Sequence, residues 1–217
     1  MALPVMIIGE SGSGKTTSLK YFKPDEVGII SVEKGRLPFR SELKTVRIPK
    51  FSDGDIKSPG QLSTARYSWI EAVIKNSKVK SIVIDDSQYL LVDELFDRAK
   101  EKSYDKFTDM AANFRNLIHY VNELEDDDKI VYFLHHSEDN GTGKAKVKTI
   151  GKMLDEKLTV EGCFDIVIYC KDYKFYAQGD GISTAKSPEG MFEGEMDNNL
   201  KVVDDKIREY YGMGGNS

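Results

Sequence analysis

Residues 5–20 read Val5-Met6-Ile7-Ile8-Gly9-Glu10-Ser11-Gly12-Ser13-Gly14-Lys15-Thr16-Thr17-Ser18-Leu19-Lys20, and the rest of the chain is organised around them. The apolar run 5–8 predicts a buried strand, and the stretch from Leu19 to about Phe22 can form a helix. Between them, residues 9–16 match G-x-x-x-x-G-K-[ST] at every fixed position. Strand, glycine-rich loop and helix are together the context in which this pattern cradles phosphate. The backbone has to wrap an anion closely, and a Cβ at Gly9 or Gly14 would obstruct the turn or the approach. Loop N–H groups and the helix N-terminus then face the anion together. The nucleotide-binding set is therefore Gly9, Glu10, Ser11, Gly12, Ser13, Gly14, Lys15, Thr16 and Thr17. Lys15 is expected at the β- and γ-phosphates and the Thr16 hydroxyl at a Mg²⁺ ion.

Composition limits what can surround this loop. A chain of 217 residues, 40% hydrophobic and 31% charged, suits one globular domain with a sizeable core, here 1–217 with a frayed tail at 212–217. The net charge of −5 argues against a generally sticky nucleic-acid binder but leaves room for a local basic loop. No apolar stretch approaches the ~20 residues that cross a bilayer. The N-terminal run leads directly into the phosphate loop rather than to a cleavage site, so a cytoplasmic protein is expected. Cys163 and Cys170, on or near an apolar strand, read as reduced core residues.

Further strands follow in order. Residues 27–32 are apolar and end at Glu33, a carboxylate on the ligand side of an open α/β sheet and a candidate general base. Residues 36–60 read as an irregular connection with one short strand near 46–48. Residues 62–74 place Leu62, Ala65, Trp69, Ile70, Val73 and Ile74 on one helical face. The run Ile82-Val83-Ile84-Asp85-Asp86 has the form of a metal-binding acid at a strand end, with Asp85 expected beside Thr16. Asp86 points the other way along the pleat unless the strand has ended, and is the second candidate for orienting water.

Residues 90–99 and 104–124 are helical by spacing. A buried strand at 130–134 then ends at His135 and His136, either of which can sense the γ-phosphate. Residues 137–148 read as a polar, mobile loop. Lys144, Lys146 and Lys148, with Lys152 behind, are the dense positive cluster of an acidic chain; they track a phosphate backbone or form a solvated face. Residues 150–160 can form a helix, 164–170 a fifth core strand, and 174–178 its hairpin partner. A final helix over 200–211 is expected to turn Val202, Val203, Ile207 and Tyr210 inward.

These pieces together resemble the small AAA-type P-loop ATPases of phages and prophages with a RecA-like core, some of which act as single-strand annealing or recombination proteins. The likeness rests on residues 9–17, 31–35, 82–87, 131–136, 151–169 and 184–211. It implies an α/β fold with a parallel sheet of order 5-1-4-3-2 flanked by helices, with a C-terminal β-hairpin and helix. It implies that Glu33 lies beside Asp85 as the catalytic glutamate, and that His135 or His136 lies near the γ-phosphate. It also implies that residues 137–148 touch single-stranded DNA and that Lys186 reaches into a neighbour's ATP site in a ring or filament of identical subunits.

The function expected is a Mg²⁺-dependent ATPase acting on single-stranded DNA in phage recombination or replication, inside a bacterial host. ATP is preferred to GTP because the chain has no N-K-x-D-type guanine motif. Two other readings share the scaffold. One is a nucleotide-dependent interaction or loader protein that does not itself bind DNA, which the acidic charge favours. The other is a P-loop kinase, disfavoured because the long loop carries lysines and no arginine.

Overall fold

The computed structural model describes residues 1–33, 35–51, 59–150, 159–179 and 181–214. Four strands with apolar centres form its middle: β1 (Leu3–Gly9), β4 (Ser81–Asp85), β5 (Ile130–Asp139) and β7 (Ile166–Lys171). The apolar part of each is buried on both faces, which is why it reads as a continuous hydrophobic run rather than an alternating one. Around them lie β2 (Val27–Ser31), β3 (Thr45–Arg47), β6 (Ala145–Val147), β8 (Lys174–Tyr176) and β9 (Glu195–Asp197). The sheet runs β3-β2-β4-β5-β1-β7-β8-β9, with β6 paired to the outer end of β5.

The five core strands take the expected order, β5 lying parallel between β1 and β4. The sheet is wider than that core, because β3 adds in parallel beside β2 and β8 and β9 add antiparallel beyond β7. Strand ends are in register at one edge. Gly9 is opposite His136, Ile8 opposite His135, and Ser31 opposite Asp85. Every loop with a chemical signature therefore leaves the sheet at its carboxyl edge.

The strand period of two divides the core. Met6, Ile8, Ile84, Val131 and Phe133 face α1 (Pro59–Asn76), α2 (Gln88–Asp97) and α3 (Asp105–Glu123). Val5, Ile7, Val83, Tyr132 and Leu134 face a short 3-10 helix (Thr16–Tyr21) and α4 (Leu200–Tyr211). The helix after the phosphate loop is thus a 3-10 segment. No helix among the described residues is long and apolar enough to cross a membrane.

Two expectations need correction, and a third lies outside the described residues. Residues 137–148 are not an open loop: β5 continues to Asp139, turns through Gly141 and Gly143, and returns as β6, paired from Ser137↔Val147 to Asp139↔Ala145. Polar composition conceals this hairpin because its strands lie beyond the main core. On α4, Val202 and Tyr210 are exposed, and the inward stripe is Leu200, Val203, Asp204 and Ile207. Asp204 takes an inward place because Ser81 Oγ and the Tyr132 hydroxyl donate to its carboxylate at 2.7 and 2.8 Å, and Arg208 Nε donates at 2.7 Å. The helix expected over 150–160 is described only from Val160, where a 3-10 turn (Val160–Cys163) begins; Lys152 lies outside the described residues.

Candidate functional site

The phosphate loop is held from behind by the β7–β8 turn. The Tyr173 N–H donates to the Ser13 carbonyl (3.0 Å), and Asn198 Nδ2 donates to the Gly14 carbonyl (3.1 Å). Cys170 Sγ lies 3.3 Å from the Ser13 carbonyl. These contacts explain two of the glycines. A Cβ on Gly9 would collide with the Cys170 carbonyl and lie 2.6 Å from Ser13 Oγ. One on Gly14, where φ is +106°, would collide with the Asn198 amide and lie 2.8 Å from the Tyr173 ring. Asp172 and Tyr173 sit at φ +49° and +58°, left-handed values that few side chains adopt without cost, and their turn places the tyrosine beside the loop.

Lys15 is buried, and its ammonium donates to the carbonyls of Gly9 and Glu10 at 2.7 and 2.8 Å. The Thr16 hydroxyl donates to Asp85 Oδ1 at 2.9 Å, joining residues 69 apart in the chain. Burial, then the adjacent Asp86 carboxylate, push Asp85 up to about 6, against the opposing pull of the Thr16 hydroxyl and Lys15. A carboxylate touching a hydroxyl is a pair of hard oxygen donors of the kind that suits Mg²⁺. β4 ends at Asp85, and Asp86 turns to φ +60°, so both acids line one cleft instead of opposite faces. Asp86 Oδ1 lies 3.3 Å from His136 Nε2, and His136 meets Tyr89 edge-on at 6.1 Å. The cleft, about 320 Å³, is also lined by Ser11, Gly12, Gly14, Lys15, Thr16, Thr17, Arg36, Pro38 and Tyr173.

The two histidines take different faces. His136 shares the parity of Tyr132 and Leu134 and lines the cleft, while His135 shares that of Phe133 and is fully buried under α3 against Phe114. His135 Nε2 is 2.9 Å from the Lys148 carbonyl, which only accepts, so this nitrogen carries the proton. Nδ1 then accepts from Ser87 Oγ at 2.9 Å. His135 therefore ties the turn after Asp86 to the base of the β5–β6 hairpin. Burial pushes its pKa down to about 4, against the bond to Lys148, which favours the charged form. An unfolded histidine, near 6.5, binds a proton that the folded one refuses, so stability falls as pH drops from about 6.5 toward 4. The loss is about 3 kcal/mol at ~1.4 kcal/mol per unit. Denaturant titrations of wild type and His135→Gln at pH 7 and pH 4.5 are expected to show a shallower pH slope for the variant; parallel slopes would refute the assignment.

Other expected residues lie outside the cleft. Glu33 is exposed, and its charge is felt by Asp93 of α2, whose carboxyl is raised chiefly by burial. Lys186 is also exposed; its backbone pairs with Val167, and its side chain lines a groove with Lys144 and Lys146. Lys146 pairs with Glu138 at 3.2 Å, and Lys148 is exposed. Sequence reading missed Tyr173, Asn198 and Arg36. Asn198 meets a residue 184 positions away, a distance no local pattern signals.

A search of curated proteins finds no match. Among solved structures, an ATPase from the type III secretion system of pathogenic bacteria is similar at 12% identity, covering 77% of this chain and 50% of that one, with a TM-score of 0.45. This chain thus corresponds to about half the length of that protein. The model of the AAA domain family matches residues 1–193, spanning the cradle, both acids, both histidines and the hairpin. The chain belongs to this AAA domain family.

Proposed function

We propose that this protein hydrolyses ATP with Mg²⁺ and couples nucleotide state to the β5–β6 hairpin, through which it engages single-stranded DNA. The observation carrying the ATPase reading is the 2.9 Å bond from Thr16 to Asp85, which joins the phosphate cradle to a buried acid. Thr16 and Asp85 would hold Mg²⁺, which when bound neutralises charge on the β- and γ-phosphates. In hydrolysis the water oxygen bonds to the γ-phosphorus as the bond to the β–γ bridging oxygen breaks. The electron pair leaves with ADP, and the proton of the water passes to Asp86. Asp86 is favoured over Glu33 as that acceptor because it lines the cleft beside His136. Asp86→Asn, which keeps a residue tolerant of positive φ, is expected to lower kcat at least tenfold while retaining ATP binding. Glu33→Gln is expected to change kcat less; the reverse ranking in a steady-state assay would make Glu33 the base.

Alternation along β6 supports the DNA reading, since Lys144, Lys146 and Lys148 fall on one face and Lys186 borders the same groove. Replacing Lys144, Lys146 and Lys148 by Gln is expected to weaken single-stranded DNA binding and flatten its salt dependence. The pairing of Lys146 with Glu138 and the net charge of −5 favour a second reading, a nucleotide-dependent interaction protein without direct DNA contact. Absence of DNA binding by wild type at low salt with ATP would select that one.

A further inference from the structure

The connection leaving β2 carries a cation to the phosphate cleft, and β3 braces that connection. Arg47 Nη2 donates to the Glu33 carbonyl at 3.1 Å, and Thr45 Oγ1 donates to the Gly35 carbonyl at 2.9 Å. A Cβ on Gly35 would lie 2.8 Å from Arg47 Cδ, so the strand packs directly on the loop backbone. The next residue, Arg36, lines the same cleft as Lys15, Thr16, Asp85, Asp86 and His136. Pro38 lines it too and fixes φ just beyond. Arg36 is exposed and makes no ion pair or side-chain hydrogen bond with another described residue.

Charge at the cleft gives this placement a use. Apart from Arg36, Lys15 is the one lysine or arginine among the described lining residues, and it faces two carboxylates, Asp85 and Asp86. The Lys15 ammonium is drawn back onto two loop carbonyls. A guanidinium is planar, permanently charged and able to bond two phosphate oxygens at once, and it stabilises most where charge develops.

Building on the ATPase reading above, we propose that Arg36 contacts the γ-phosphate of ATP bound in its own subunit and stabilises the charge gathering on its oxygens as the β–γ bridge breaks. The loop on which the sequence suggests a base, Glu33, thus supplies a cation instead.

The test compares wild type, Arg36→Ala and Arg36→Lys, with folding checked by circular dichroism. Steady-state hydrolysis is measured with and without single-stranded DNA. Calorimetric titrations measure binding of Mg-ADP with and without aluminium fluoride, which mimics the phosphoryl group in flight. For Arg36→Ala, kcat is expected to fall by about 10²-fold or more. ADP affinity should stay within ~3-fold while affinity for the fluoride complex falls in step with kcat, and Lys should restore part of both. Mixing Arg36→Ala with Lys15→Ala subunits is expected to give no more activity than the two alone. Wild-type turnover with an unchanged Arg36→Ala kcat, or with undiminished fluoride-complex binding, overturns the role of Arg36 alone. Activity restored on mixing overturns its action within one subunit. Absence of hydrolysis by wild type under both conditions overturns the ATPase reading and this assignment with it.

Discussion

Lys15→Met is expected to weaken ATP binding at least ~100-fold and to abolish measurable hydrolysis, with the fold retained. Charge-assisted hydrogen bonds contribute about 1.5–3 kcal/mol each. A lysine that spans two phosphates therefore accounts for about 3 kcal/mol or more, which is the expected factor. In the structure the ammonium rests on the carbonyls of Gly9 and Glu10, so the lysine also stabilises the loop that it crosses. Met keeps the apolar stem of this buried side chain and removes the ammonium with its two loop hydrogen bonds, so loss of affinity reads as loss of the ammonium rather than of packing. Fluorescent-nucleotide titration alongside thermal unfolding separates the two. Retained affinity in a folded variant would place the nucleotide elsewhere.

Asp204→Ala carries the largest expected effect on stability. This carboxylate is 2% exposed and accepts from Ser81, Tyr132 and Arg208, while Arg208 also donates to the Asp128 carbonyl at 2.7 Å. Removing it leaves a guanidinium and two hydroxyls without their acceptor beneath α4. Breaking a buried pair in this way costs about 3–5 kcal/mol. For a chain of this size that is a fall in Tm of roughly 6–20 °C. Asp204→Asn keeps the shape and one acceptor oxygen, and is expected to lose less. The network lies at the start of β4, four residues and about 13 Å from Asp85 at its end, so ATP affinity of the folded variant should be nearly unchanged. Unfolding within 1 °C of wild type would show that the network contributes little.

The contrast between these two sites bears on what can be read from a chain. The cradle is contiguous, and its chemistry is local: glycines where the backbone must approach an anion, a lysine and a threonine at fixed offsets. Buried parallel strands are also local, because both their faces are apolar. Asp204 was invisible in the same way that Asn198 was. On the sequence it is an acid in a charged helix, and only β4 and β5, 123 and 72 residues away, supply its partners. The β5–β6 hairpin escaped notice because polar strands outside a core lack the apolar alternation that marks a strand.

Glu33, His135 and Arg36 show the same limit at the cleft. Position at a strand end placed Glu33 and His135 near the carboxyl edge and gave no sign of Arg36, because the side of that edge each residue takes depends on where each strand stops and what braces the loop beyond it. His135 and His136 separate because the pleat alternates and β5 runs on past both. Asp85 and Asp86 converge because β4 stops between them and Asp86 takes a positive φ. β3, only three residues long, grips the loop after Glu33, and Arg36 lines the cleft in its place. By itself, then, the sequence determined the phosphate cradle, the buried strands and the acid that meets the cradle, since each follows from backbone sterics or apolar burial within a few residues. The tertiary structure alone decided which neighbouring side chains line the cleft, because that depends on strand ends and long-range packing that no short stretch of chain encodes.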